Sequence, residues 1–122
     1  MSIEHRAVIL FAHGSRDPLW RWPVEAVALR MRAIEPNVLV ACAYLELIEP
    51  DLPAAALALL DAGALRISVV PLFLGVGRHA REDLPRLVQT LALAHTHVQF
   101  KLQPAIGEDP RVVDLLAEIA LE

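Results

Sequence analysis

Lysine and cysteine are almost absent from this sequence, and the scarcity of cysteine excludes several kinds of covalent link and metal site. Cys42 is the single cysteine, which excludes an intrachain disulfide framework and a metal site built on several cysteines of one chain. Acidic residues outnumber basic ones by fifteen to eleven, so non-specific binding of DNA or RNA, which needs a positive surface, is not expected. No apolar run approaches the roughly 18–20 residues of a membrane-spanning helix, and the first residues lack a signal-peptide pattern. We therefore expect a soluble cytoplasmic protein that binds neither nucleic acid nor membrane.

Length and composition describe one packed domain. Hydrophobic residues make up 56% of the chain and charged residues 21%, a balance typical of a globular protein and too apolar for a disordered one. With roughly 100–200 residues to a domain, the 122 residues of this chain suffice for one. We therefore expect residues 1–122 to form a single domain.

Four short apolar segments have the composition of buried β-strands. They run over Arg6 to Ala12, Val38 to Leu45, Arg66 to Leu74 and His97 to Leu102. The first three are almost continuously apolar, as in parallel strands that helices cover on both faces. The segments after the strands carry apolar residues three and four positions apart, or are rich in alanine. These patterns predict helices around 24–34, 52–60, 84–91 and 112–120.

The alternation of strands and helices predicts a three-layer α/β domain with a four-stranded parallel sheet, helices on both faces and right-handed crossovers. The expected strand order is 2-1-3-4, which reverses between strands 1 and 3. Residues that commonly begin or end helices support this assignment. Asp109 and Pro110 are expected to start a helix, while Gly63 and Pro36 follow the predicted ends of two others.

Three residues with metal-binding side chains follow the first three strands. Ligand sites in parallel sheets lie beyond the carboxyl ends of the strands, where the strand order reverses. His13 follows the first strand, Glu46 the second and His79 the third, so topology brings all three to one end of the sheet. Two imidazoles and a carboxylate suit a first-row divalent metal. Either histidine alone is more often structural, and Glu46 alone is as often a surface carboxylate, so the functional interpretation depends on their coincidence.

The remaining histidines and the cysteine favour plain structural interpretations. His5, His95 and His97 fall at the opposite end of the predicted sheet, where we expect them in solvent. Cys42 lies in the middle of a strand and should behave as a small buried hydrophobe.

Arginine dominates the basic residues. Ten of the eleven are arginines, and Lys101 is the only lysine. Arg16, Arg78 and Arg81 fall in the two segments that carry His13 and His79. Planar guanidinium groups bind carboxylates and phosphates through paired hydrogen bonds, so the cleft is expected to take a polyanion.

Several motifs together resemble the small class II chelatases of the CbiX type, which include the sirohydrochlorin chelatases. The matching segments are Ala12-His13-Gly14-Ser15-Arg16, Tyr44-Leu45-Glu46, Pro71-Leu72-Phe73-Leu74 through Gly77-Arg78-His79 to Asp83-Leu84-Pro85, and Ile106-Gly107-Glu108-Asp109-Pro110. The resemblance covers essentially the whole chain, and the combination of its two halves is more specific than either half.

The resemblance implies that the protein inserts a divalent metal into sirohydrochlorin, a tetrapyrrole with eight carboxylates. Cobalt insertion would lead to cobalamin, iron insertion would give sirohaem, and nickel is used by some relatives. The metal is then a substrate, and no organic cofactor is expected. Short members of the family resemble a homodimeric form, so a homodimer is expected here.

The same resemblance suggests a role for each site residue. His13 and His79 would hold the metal and take up pyrrole protons, since the pKa of free imidazole is about 6.5. Glu46 would complete the coordination or orient a histidine. Substrate carboxylates are assigned to the loops that carry the histidines, through Ser15, Arg16, Gly77, Arg78 and Arg81.

Two alternatives from other functional classes stay open at this point. One is a non-catalytic carrier of a tetrapyrrole or a metal with the same fold. The other is a small phosphoesterase built on the His13-Gly14-Ser15-Arg16 segment, although Ala12 stands where phosphatases of the Arg-His-Gly type carry arginine.

Overall fold

The computed structural model describes residues 5–122 as four parallel strands, each followed by a helix. The elements are β1 (Arg6–Ala12), α1 (Trp22–Ile34), β2 (Leu39–Tyr44), α2 (Leu52–Asp61), β3 (Arg66–Pro71), α3 (Arg78–Ala94), β4 (Gln99–Leu102) and α4 (Pro110–Ala120). Short 3₁₀ turns precede α1 at Pro18–Arg21 and α4 at Ile106–Glu108. Within the described residues no helix has the length and apolar character needed to cross a membrane.

The strand order is β2-β1-β3-β4, and every pairing is parallel, so the predicted topology is confirmed. Ala12 pairs with Tyr44, and Phe11 pairs with Pro71. The carboxyl ends of β1, β2 and β3 therefore meet at one edge. The reversal of strand order, between β1 and β3, lies at that same edge, where ligand sites form.

The core is divided by the sheet into two layers. On one side α2 and α3 pack on the strands through residues such as Phe11, Leu59 and Leu84. On the other side α1 packs through Val24 and Ala28 onto Val8 and Leu10. The near-continuous hydrophobicity of β1 follows from this arrangement, because residues on both of its faces are buried.

Capping residues mark the starts of two helices, and the prediction that Asp109 and Pro110 begin the last helix is confirmed. Asp51 accepts a hydrogen bond from the Ala54 amide at the start of α2, and Asp109 accepts one from the Arg111 amide at the start of α4. Gly63 adopts a φ of 99°, the left-handed conformation that ends α2.

One sequence-based expectation needs correction. The segment after β3 is a loop only to Gly77, so Arg78, His79 and Arg81 lie in the first turns of α3 rather than in the loop. Helices lie on both faces of the sheet as predicted, while Gln99 and Lys101 of β4 are exposed. The predicted helix α4 has an apolar stripe but no buried residue.

Candidate active site

The site is built around an imidazole and a carboxylate that follow adjacent strands. His13 comes directly after β1 and Glu46 two residues after β2. His13 Nδ1 lies 3.0 Å from Glu46 Oε1, and the two side chains are 54% and 43% exposed. The predicted approach of these two residues is thus present, and the pair is open to a ligand from solvent.

Glu46 is held by its other oxygen as well. The Gly14 amide donates a hydrogen bond to Glu46 Oε2 at 3.2 Å. With Oε1 facing His13, both carboxylate oxygens already have partners in the protein. This arrangement favours Glu46 as the residue that orients His13 over a direct metal ligand.

Gly14 permits the close contact between the two loops. A Cβ at this position would collide with the backbone carbonyl of Glu46, so any other residue would push the loops apart. The need for glycine here comes from this approach, since the structure records no positive φ at Gly14.

The loop that carries Glu46 contains a local distortion. Leu47 has a φ of 72°, in the left-handed region that non-glycine residues seldom occupy. The Ile48 amide donates to the Glu46 carbonyl at 2.9 Å, which closes a three-residue γ-turn around Leu47. Such a conformation costs about 1–3 kcal/mol, and functional sites are where it is usually retained.

Two aromatic residues fix the position of His13. The Phe73 ring packs against the His13 ring with centroids 4.7 Å apart. The Trp20 indole N–H donates to the His13 carbonyl oxygen at 2.9 Å. Neither role follows from the sequence pattern; the available signal is that Phe73 follows β3, the strand next to β1.

An apolar groove of about 470 Å³ opens beside His13. Its lining comes from the ends of β1 and β3 and from the start of α1, and it comprises Ala12, His13, Trp20, Pro23, Val24, Leu72, Phe73, Leu74 and Gly75. Trp20 and Leu74 are 52% and 70% exposed at its rim. A groove with this lining suits a flat, apolar face of a ligand.

The position of His79 is less fully determined. It occupies the first turn of α3, at the carboxyl end of β3. Among residues 5–122, no three side chains of His, Cys, Asp or Glu are grouped so as to hold a metal ion. The structure thus brings His13 and Glu46 together, and the role of His79 beside them stays a prediction.

Of the polar residues assigned to substrate, Ser15 and Arg16 follow β1, and Gly77, Arg78 and Arg81 lie at the start of α3. The Ser15 hydroxyl accepts a hydrogen bond from the Asp17 amide at 3.1 Å, which shapes the turn after His13. Arg78 lies 3.6 Å from Glu82 on the exposed surface of α3, and Gly77 is the N-cap of that helix. An exposed ion pair of this kind is weak, so Arg78 can exchange its partner for a ligand carboxylate.

Cys42 and Tyr44 do not extend the site. Burial is the main cause that raises the pKa of the Cys42 thiol, and burial likewise raises the pKa of Tyr44. Both groups therefore stay neutral near pH 7 and are poor metal ligands. The predicted hydrophobic role of Cys42 fits its partly buried place beside Val8 and Leu10.

The hydrogen bond to Glu46 fixes the chemistry of His13. With Nδ1–H donated to the carboxylate, the second ring nitrogen, Nε2, keeps its lone pair. A carboxylate that accepts a hydrogen bond from the other ring nitrogen also holds the orientation of the imidazole, as in many metal sites. The pair can therefore bind a metal ion or accept a proton at Nε2.

Comparison with known proteins identifies the family. The CbiX family model matches residues 7–122. The chain belongs to the CbiX family. The matched residues include all four strands, apart from Arg6, the first residue of β1.

Relatives of this CbiX chain include enzymes named for two metals. The chain is 34% identical to the sirohydrochlorin cobaltochelatase of Methanococcus maripaludis over 82 residues, which are 67% of this chain and 57% of that enzyme. It is 32% identical to the sirohydrochlorin ferrochelatase of Priestia megaterium over 115 residues, 92% of this chain and 42% of that enzyme. The chain thus spans only about half the length of these two relatives.

Among solved structures, a protein named for cobalamin biosynthesis, CbiX from Marinobacter aquaeolei VT8, superimposes with a TM-score of 0.82. The two are 34% identical, and the match covers 95% of this chain and 94% of that one.

Proposed function

We propose that this CbiX-family protein inserts a divalent metal ion into sirohydrochlorin, with Co²⁺ favoured and Fe²⁺ as the second choice. The observation that carries the proposal is the His13–Glu46 pair beside an apolar groove at the reversal of the strand order. Relatives named as sirohydrochlorin cobaltochelatase and ferrochelatase support the same reaction. The product would serve cobalamin or sirohaem synthesis, according to the metal.

The reaction exchanges one metal ion for two protons. As the metal forms bonds to the four pyrrole nitrogens, two pyrrole N–H groups each lose a proton, so charge is conserved. His13 Nε2 is suited to present the metal or to accept the first proton, and Glu46 stabilises the imidazolium that results. We assign the second proton to His79. The half-exposed pair then returns its proton to water.

Recognition of the substrate divides between apolar and charged parts of the site. The groove beside Trp20 and Leu74 suits the face of the macrocycle. Arg16, Arg78 and Arg81, together with Ser15 and the Gly77 turn, are suited to bind the carboxylates around its edge. Because the site is open and relies on histidine nitrogen and not on a closed set of cysteine ligands, it can release the metal to the macrocycle.

We further propose that the working unit is a homodimer in the cytoplasm. A domain of 122 residues has a radius of gyration of about 14 Å, which is small beside a tetrapyrrole with eight acidic arms. The match to the P. megaterium enzyme fills 42% of that chain, so the longer relative has room for a second domain of this size. Two copies of the present chain would supply the same amount of protein.

The test is to mix the metal-free protein with sirohydrochlorin and Co²⁺ and to follow the visible spectrum. A chelatase converts many equivalents of substrate per protein. Stoichiometric spectral change without turnover would replace the proposal with a carrier. No change with either Co²⁺ or Fe²⁺, together with hydrolysis of a phosphate ester, would replace it with the phosphoesterase interpretation.

A further inference from the structure

Trp20 is divided between the groove and the protein. It lines the groove beside His13 and is 52% exposed, although tryptophan is on average a largely buried residue. Its indole N–H, the only hydrogen-bonding group of the side chain, donates to the His13 carbonyl oxygen at 2.9 Å. One side chain therefore contacts both the space for a ligand and the main chain of the central histidine.

The bond from Trp20 reaches the His13–Glu46 pair through one peptide group. The carbonyl of the peptide that joins His13 to Gly14 accepts the indole N–H, and the amide of the same peptide donates to Glu46 Oε2 at 3.2 Å. Glu46 Oε1 in turn lies 3.0 Å from His13 Nδ1. The indole, the peptide, the carboxylate and the imidazole thus form one continuous chain of hydrogen bonds. Because hydrogen bonds in such a chain polarise one another, a change at the indole affects the carboxylate and the imidazole.

The loop between His13 and Trp20 holds the indole in place before any ligand binds. The Asp17 amide donates to the Ser15 hydroxyl at 3.1 Å, and the Leu19 amide donates to the Asp17 carboxylate at 2.9 Å. The Trp20 amide donates to the Asp17 carbonyl at 3.0 Å. A ring that is already ordered loses little conformational freedom when a ligand packs on it. The loop therefore presents a preformed aromatic surface.

Trp22 shows that an exposed indole near this site does not by itself create such a link. It lies at the start of α1, is 68% exposed and does not line the groove. Within residues 5–122 its indole has no hydrogen-bond partner. Because Trp20 and Trp22 are the only tryptophans of the chain, each serves as the control for the other.

We propose that Trp20 is a positioning residue that links the binding of the macrocycle to the placement of His13 Nε2. The face of a pyrrole ring packs on the indole, and this contact fixes the indole N–H on the His13–Gly14 peptide. The peptide then holds Glu46, and Glu46 holds Nδ1, so that Nε2 stays directed at the bound substrate. The inference rests on the proposed function, because it takes sirohydrochlorin as the ligand of the groove.

The first test separates the aromatic ring of Trp20 from its N–H. Trp20→Phe keeps an aromatic face and removes the donor. We expect kcat for Co²⁺ insertion to fall roughly tenfold with the KM for sirohydrochlorin nearly unchanged, because a hydrogen bond that orients the reacting group is lost. Trp20→Ala removes both parts, so the KM should rise as well. Trp22→Phe is the matched control and should leave both constants unchanged.

A sharper form of this test replaces the donor atom alone. In the Trp22→Phe background Trp20 is the one tryptophan, and growth on benzothienylalanine replaces it with a ring of the same shape that carries sulfur in place of N–H. This protein should repeat the fall in kcat. A merely structural Trp20 would lower the melting temperature and leave the kcat of the folded protein intact. Unchanged kcat in both Trp20→Phe and the sulfur-containing protein, with or without a raised KM, would overturn the proposal.

The second test needs no turnover. The ¹H–¹⁵N spectrum of the metal-free protein should contain two indole signals, which Trp20→Phe and Trp22→Phe assign. Metal-free sirohydrochlorin should shift the Trp20 indole signal and the Gly14 amide signal together, and the shift at Gly14 should be smaller in Trp20→Phe. An unmoved Trp20 signal in the complex, or an equal shift at Gly14 without the indole, would overturn the link.

The two tests keep this inference distinct from the proposed function. Linked shifts in an unaltered protein that binds sirohydrochlorin but inserts neither Co²⁺ nor Fe²⁺ would support the role of Trp20 and overturn the chelatase. Full turnover in the unaltered protein, with unchanged kcat in the Trp20 variants, would overturn the role of Trp20 and leave the chelatase standing.

Discussion

His13 is held through three different parts of the residue. Its Nδ1 faces Glu46, its ring packs on Phe73 and its carbonyl accepts the Trp20 indole N–H. Only Nε2 is left for chemistry. A His13→Ala variant should therefore lose most chelation, at least about a hundredfold in turnover, as is typical when an acid–base group is removed.

The same loss of turnover is expected for His79→Ala. Both variants should have the same melting temperature as the unaltered protein, because both positions are surface-exposed. Visible spectroscopy with Co²⁺ measures the turnover. Near-normal turnover in either variant would remove that histidine from the reaction.

Glu46 offers a milder substitution at the same pair. In Glu46→Gln one oxygen remains to accept the Nδ1–H bond, but the negative charge that stabilises an imidazolium is gone. We expect a reduced turnover and a smaller change in Co²⁺ affinity, since both oxygens of Glu46 are occupied by His13 and Gly14. Calorimetric titration with Co²⁺ measures the affinity. A loss of Co²⁺ affinity as large as the loss of turnover would instead make Glu46 a direct ligand.

Gly14 carries no reactive group, so a substitution there tests the positioning of the two loops separately from the reaction itself. Gly14→Ala should displace the Glu46 loop, since the added Cβ meets the Glu46 carbonyl. We expect lower stability and lower turnover together. Gly75→Ala is the matched control for stability, because a Cβ there meets nothing within 4 Å. Equal melting temperatures for the two variants would show that the loops do not need this close contact.

At the scale of elements, the first turns of α3 carry Arg78 and Arg81, which we propose to bind the substrate. Arg78→Ala and Arg81→Ala should raise the KM for sirohydrochlorin with a smaller effect on kcat, because a clamp that binds substrate and transition state equally acts on binding. Arg86→Ala is the control on the same helix, two turns further on, where Arg86 pairs with Asp83. A defect confined to kcat would assign these arginines to the chemical step.

The elements also show what the sequence could and could not predict. Strands β1 and β3 and helices α1 and α2 follow from local pattern, because continuous apolar runs and three-to-four spacing directly reflect burial. The start of α3 at Arg78 does not follow from the pattern, because its first turns, Arg78 to Asp83, are polar and exposed apart from Ala80 and carry no apolar period. The spacing in α4 predicts a helix with an apolar face, but periodicity does not specify what covers that face.

The site was predicted to the extent that topology determines it. A parallel sheet of order 2-1-3-4 places residues 13 and 46 side by side whatever their side chains, so the His13–Glu46 contact followed from strand order. Contacts that depend on loop conformation did not follow. The positive φ of Leu47 and the bond from Trp20 to the His13 carbonyl arise from turns that no periodicity encodes.

At the scale of the whole molecule, exposed apolar surface bears on the proposed dimer. The alanine-rich residues 52–60 do not supply this surface through their whole length, because α2 buries Leu52, Ala55, Ala56 and Leu59 in the core of its own chain. Exposed apolar surface lies instead on α4 and along α1, where Val27 and Ile34 are exposed. The proposed association would therefore involve the layer that also forms one wall of the groove, because Pro23 and Val24 of α1 line it.

This continuity predicts that chelation depends on protein concentration. If a second copy completes the wall above His13, specific activity should fall on dilution through the concentration range in which sedimentation shows the dimer dissociating. Saturating sirohydrochlorin should shift that range to lower protein concentration, because a ligand stabilises the state that binds it. Activity per chain, measured from micromolar to low nanomolar protein at constant substrate, gives the dependence. Leu115→Glu places a charge on the exposed apolar face of α4, and where sedimentation shows this variant to be a monomer it supplies the reference value. Full specific activity in that monomer, unchanged by dilution, would show that one copy of this small sheet encloses enough of the macrocycle to insert the metal alone.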